Sequence, residues 1–158
     1  MPTKSGTART PRLTPVAHPL LDAADALFRA ARESCHQHQR LSRLHERGAD
    51  DAEFADACDL TALCDRQLAE RTERYEEVAK VGRGEEPEDV WRVANALWMA
   101  SREYGRRNAT SDAAGAKLKR HDSARLGELT MDYELEMSAR LAMKQAIESY
   151  GAVRPDAA

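Results

Sequence analysis

Apolar residues recur every three or four positions along almost the whole of this chain. The runs break at four places: Pro19, Gly48-Ala49-Asp50, the stretch from Gly82 to Pro87, and Gly151. Such spacing lines apolar side chains along one face of an α-helix, and the strict alternation of a half-buried strand is absent. The first helix is expected to open at Pro19, whose fixed φ and missing N–H suit a first turn, and to run to Arg47 before Gly48. Its main stripe is Leu20, Ala24, Leu27, Ala31, His38, Leu41 and His45, flanked by Leu21, Phe28 and Cys35. The second opens at Asp50, with Glu53 as a capping-box partner, and ends near Gly82; Phe54, Cys58, Thr61, Leu68, Tyr75 and Ala79 share one face. Each spans about 30 residues, or about 45 Å. So short a turn between them forces an antiparallel pair.

The third helix is expected to begin at Pro87, where Glu88 and Asp89 meet the positive end of the helix dipole. Its face is Val90, Trp91, Ala94, Leu97, Trp98 and Ser101. It fades at Tyr104-Gly105, and Gly105 to Thr110 reads as a loop. The last helix starts at Ser111 or Ser123 and reaches Tyr150 on the stripe Leu126, Leu129, Tyr133, Met137, Leu141 and Ile147. Four stripes that must bury one another across short connections give an all-α, antiparallel (up-down-up-down) four-helix bundle over residues 19–151. The alternative is a hairpin of the first two segments completed by dimerisation. Residues 1–18, with Lys4, Arg9 and Arg12 among Ser, Thr, Gly and Pro, read as a disordered basic arm, and 152–158 as a frayed tail.

Composition narrows this picture. A chain of 158 residues sustains one core, and with 42% hydrophobic but only 5% aromatic residues that core is built from Ala, Leu and Met. No stretch approaches the roughly 20 apolar residues that cross a bilayer, and no export signal is recognisable. Three cysteines, an odd number, then imply reduced thiols in the cytoplasm. The net charge of −3 hides a division: residues 49–89 hold fourteen acids against five bases, and residues 90–125 hold eight bases against three acids.

Candidate chemistry is sparse. Glu33 and His36 have the Glu-x-x-His spacing of di-iron helical bundles, but such a centre needs two units and only one occurs. Folding the first two helices back at Ala49 sets Cys35 level with Cys64 and His38 near Cys58, a ligand set that zinc accepts. Cys58 and Cys64, however, stand six residues apart and off a common face, so buried structural thiols are the simpler reading. His38 and His45 could form a pH-responsive seam, although histidine on an apolar face is more often a packed residue. Trp91 and Trp98 share a face, either as the largest core contribution or as an exposed interaction pair. Arg102, Arg106, Arg107, Lys117, Lys119 and Arg120, with Arg125, form a basic segment that could answer the acidic second helix or contact phosphates. No nucleophile, base and orienting acid cluster in the sequence. The expected function is therefore a non-enzymatic bundle, without cofactor, acting through protein–protein interaction that includes self-association. A nucleic-acid-associated or regulatory protein using the arm and residues 102–125 is the alternative, followed by a metal or thiol sensor.

Overall fold

The computed structural model describes residues 18–82, 84–117 and 123–158, without the side chains of 110–117 and 123–130. The chain is an antiparallel four-helix bundle: α1 (Pro19–Arg47), α2 (Asp51–Val81), α3 (Glu88–Lys117) and α4 (Ser123–Val153), followed by a 3-10 turn, Pro155–Ala157. Each boundary has a local cause. Pro19 occupies the first turn of α1, and Gly48 ends it in the left-handed region at φ 69°, where a glycine costs nothing. The Asp50 carboxylate accepts the Glu53 backbone N–H at 2.8 Å and caps α2. Among the described residues no strand is present, and no helix is long and apolar enough to cross a membrane.

α1 packs chiefly on α2, and α3 on α4, so the bundle is two hairpins laid together. The core runs through Leu20, Ala24, Leu27, Phe28, Ala31, Leu68, Tyr75, Ala94, Leu97, Tyr104, Met143, Ile147 and Tyr150. Its largest fully buried side chains are tyrosines, not the two tryptophans, which pack only partly buried against its edge. Each buried tyrosine reaches into the other hairpin. Tyr75 donates to Asn95 Oδ1 (3.2 Å), Tyr104 to Asp65 (3.3 Å) and Tyr150 to Asp25 (2.6 Å). A phenol can do this because its ring fills the core while its hydroxyl finds a polar partner across the seam.

Three expectations are corrected. Gly105 to Thr110 is not a loop: α3 passes straight through, because Ser101 and Tyr104 are buried on its inner face and packing outweighs the weak helical preference of Gly105 and Asn108. The expected stripe of α4 is rotated. Of that stripe Ile147 is buried as expected, but Tyr133, Met137 and Leu141 are exposed, and the inner face is Glu136, Ala139, Met143, Ala146, Ile147 and Tyr150. Residues 152–158, expected to fray, are tied down: Arg154 clasps Asp25 at 2.7 Å, Ala157 is buried, and Arg29 donates to the Ala157 carbonyl at 3.2 Å. The basic arm through residue 17, together with Lys119 and Arg120, lies outside the described residues, as do the side chains of Lys117, Arg125, Leu126 and Leu129.

Candidate functional site

At the middle of the bundle, all four helices contribute to one largely buried polar cluster. From α1 come Ser34 and His38, from α2 Asp65, from α3 Ser101 and Tyr104, and from α4 Glu136 and Arg140. Asp65 is the hub. Ser34 Oγ donates to its Oδ1 at 2.7 Å, and His38 Nε2 lies 2.9 Å from Oδ2 and 3.1 Å from Oδ1. The Tyr104 hydroxyl stands 3.3 Å from both carboxylate oxygens and 2.6 Å from His38 Nε2. With Asp65 ionised, an Nε2–H tautomer of His38 donates to the carboxylate and the Tyr104 phenol donates to it as well; the tautomer sets which way the short His38–Tyr104 contact runs. Burial, reinforced by the charge of Asp65, pushes the Tyr104 hydroxyl far above its ordinary range and keeps it protonated.

The remaining wall is ionic and stacked. Arg140 Nη2 donates to Glu136 Oε1 at 3.0 Å, and its guanidinium sits 5.8 Å from the Tyr104 ring centroid. All of these groups except Ser34 border an open cavity of about 700 Å³ that also takes in Leu41, Cys58, Thr61, Leu68, Gly105, Asn108 and Tyr133.

The three thiols diverge from one another. Cys35 lines the groove between α1 and α4 beside Arg140 and Lys144, Cys58 borders the cavity, and Cys64 is buried near Glu33 and Asp65. Burial raises both the Cys35 and Cys64 thiols, which disfavours the thiolate that metal binding and disulfide exchange require. Among the described residues no group of three or more His, Cys, Asp or Glu is placed to hold a metal ion. Of that candidate set, His38 and Cys58 share the cavity wall. His45 is exposed against Phe54, 6.1 Å between ring centroids, so it does not share a buried seam with His38.

The candidate interaction residues are scattered too. Trp98 packs on Tyr75 (ring centroids 6.4 Å apart) and carries Arg102 over its outer face at 5.5 Å, while Trp91 borders the core. Arg106 and Arg107 both grip Glu103 of their own helix, at 3.0 and 2.7 Å, and hold its carboxyl below the usual range. The sequence reading named His38 but missed Asp65, Tyr104, Glu136 and Arg140. The hairpin register that set Cys35 level with Cys64 also sets Ser34 opposite Asp65, a legible signal; the α3 and α4 members come together only through the fold. No family model, no curated protein and no solved structure matches this chain.

Proposed function

We propose that this bundle is a non-enzymatic interaction protein whose first partner is a second copy of itself, joined through α4. The observation that carries this reading is the ridge Tyr133, Met137 and Leu141, which are 54%, 42% and 57% exposed. A surface helix ordinarily confines its apolar residues to the core stripe. α4 instead carries them around its whole circumference, with Met131 and Leu135 exposed on the far side as well. Residues four apart form a continuous ridge, and this one runs beside the α1–α4 groove of about 200 Å³ that Met137 and Leu141 themselves line. A ridge next to a groove is self-complementary: two antiparallel copies related by a two-fold axis near Met137 set Tyr133 of each against the partner's Leu141. Acidic α2 and the basic residues of α3 add a charge pattern that favours association between copies. The free thiols fit work in a reducing compartment such as the cytoplasm.

Sedimentation velocity over a range of concentrations tests this. The expected result is a dimer that Met137→Glu or Leu141→Glu converts to a monomer with unchanged helical circular dichroism. Raising salt from about 0.1 to 1 M, which shortens the screening length from about 10 to 3 Å, should weaken only the charged part of the contact. A wild-type chain that stays monomeric at every concentration overturns the reading, and duplex DNA bound with a steep salt dependence would favour the basic segment instead.

A further inference from the structure

Among the described residues the thioethers are not equivalent. Met143 is wholly buried, whereas Met99, Met131 and Met137 are 63%, 58% and 42% exposed. Met99 lies on α3 and Met131 on the far side of α4, so of the exposed three only Met137 stands on the ridge, between Tyr133 and Leu141. Its sulfur also has a polar neighbour. Arg140 Nη1 donates to Met137 Sγ at 3.5 Å in an exposed contact, while Nη2 of the same guanidinium holds Glu136 at 3.0 Å. One sulfur lone pair is thus occupied and the other is open to attack from solvent, beside a cation that is anchored where an oxygen on the sulfur would accept from it. A thioether that takes up oxygen changes from a flexible apolar group to a polar, chiral one. At a two-fold axis each change counts twice, because two sulfoxides then face each other. Arg140 meets one lone pair of each oxygen, and the rest must shed water against an apolar partner.

We propose that Met137 is an oxidation site through which peroxide switches self-association off, a regulation that rests on the α4 dimer proposed above. The free lone pair of Sγ forms a bond to one peroxide oxygen, the O–O bond breaks, and the other oxygen leaves as water, so sulfur is oxidised to the sulfoxide and peroxide is reduced. In the dimer Met137 is covered by the partner, so the reaction runs through the separated chain and holds it apart. The probe is hydrogen peroxide on the full chain, with peptide mass spectrometry reading the site and sedimentation velocity the assembly. Oxidation of Met137 should slow as chain concentration rises through the dimer dissociation constant, while Met99 and Met131 react at a constant rate. The oxidised chain should keep its helical circular dichroism, with the dimer dissociation constant raised at least about tenfold. Methionine sulfoxide reductase with dithiothreitol should restore the dimer and dithiothreitol alone should not, which separates the sulfoxide from disulfides or sulfenic acids at the three free cysteines. Met137→Leu should lose the response to peroxide, and a chain carrying both Met99→Leu and Met131→Leu should keep it. A wild-type chain that stays monomeric, or a dimer in which Met137 oxidises as fast as in the monomer, overturns the α4 reading and this one together. A dimer that persists with Met137 oxidised, a response that survives in Met137→Leu, or reversal by dithiothreitol alone would each overturn the switch and leave the α4 dimer standing.

Discussion

Asp25, near one end of the bundle, and Asp65, at its middle, use the same device. Each is a largely buried carboxylate that takes a tyrosine hydroxyl from the other hairpin, Tyr150 in one case and Tyr104 in the other. At Asp25 the second partner is a cation, for Arg154 donates to both carboxylate oxygens, at 2.7 and 3.3 Å, and Phe28 stacks on Tyr150 with ring centroids 5.1 Å apart. At Asp65 the other partners are Ser34 and His38, and beyond them lies the cavity. A bidentate arginine closes a carboxylate and ties the chain end to α1. An imidazole and two hydroxyls satisfy it without closing it. The end is thereby a clasp, the middle the wall of an open cavity.

The largest test acts on the tyrosine pins of both sites. Burial, with help from Glu86, pushes the Tyr75 hydroxyl up to about 12, and burial against Asp65 and Asp25 raises Tyr104 and Tyr150 as well. A raised phenol holds its proton in the folded chain after the unfolded chain has lost it. The stability it contributes is complete below the ordinary value of 10.0 and falls as pH climbs through 10 toward 12. Alkaline titration should therefore show these three phenols ionising together with loss of helical circular dichroism. Ionisation of any of the three at pH 10 in a fully helical chain would break the picture of buried pins.

Next in size are core truncations at matched positions. Leu27 is wholly buried away from the cavity, whereas Leu68 borders it. Leu27→Ala should cost about 3 to 5 kcal/mol and Leu68→Ala about 2 to 3, because a truncation beside existing space creates less new void of its own. Equal costs, measured by urea denaturation with unchanged m-values, would mean that the two regions are equally packed. The carboxylates themselves come third. Asp25→Asn breaks a bidentate pair with a guanidinium and should cost about 2 to 3 kcal/mol, whereas Asp65→Asn weakens charge-assisted bonds from an imidazole and two hydroxyls next to accessible space and should cost about 1 to 2 kcal/mol.

A difference between the two hairpins also marks what the sequence discloses. α1 and α2 are legible to within a residue because Pro19, Gly48 and the Asp50 cap act locally, through their own backbone conformations. The second hairpin is not. Gly105 and Asn108 read as a break, yet the burial of Ser101 and Tyr104 carries α3 past them. In α4 the apolar residues surround the axis, so periodicity alone could not choose between the ridge at Met137 and the buried face at Met143, and the choice fell on the wrong one. The site was half visible for the same reason: Ser34, His38 and Asp65 belong to the hairpin whose register can be worked out, whereas Tyr104, Glu136 and Arg140 arrive from the hairpin whose register cannot.

The smallest effect is the most direct comparison of local packing. Gly105 and Gly151 both lie in helical segments, where glycine costs roughly 0.5 to 1 kcal/mol relative to alanine through the entropy of the unfolded chain. Above Gly105 the space is open, so Gly105→Ala should return nearly all of that, on the order of 0.5 to 1 kcal/mol. At Gly151 a new Cβ lands 3.4 Å from the Phe28 ring, in the layer that seals the Asp25 clasp, and the ring is held in turn by Tyr150. The same methyl group there gains its entropy against a neighbour already in contact, so Gly151→Ala should stabilise less than Gly105→Ala or leave stability unchanged. A gain at Gly151 that exceeds the one at Gly105 in thermal unfolding would place the looser packing at the clasp and reverse the contrast between the two sites.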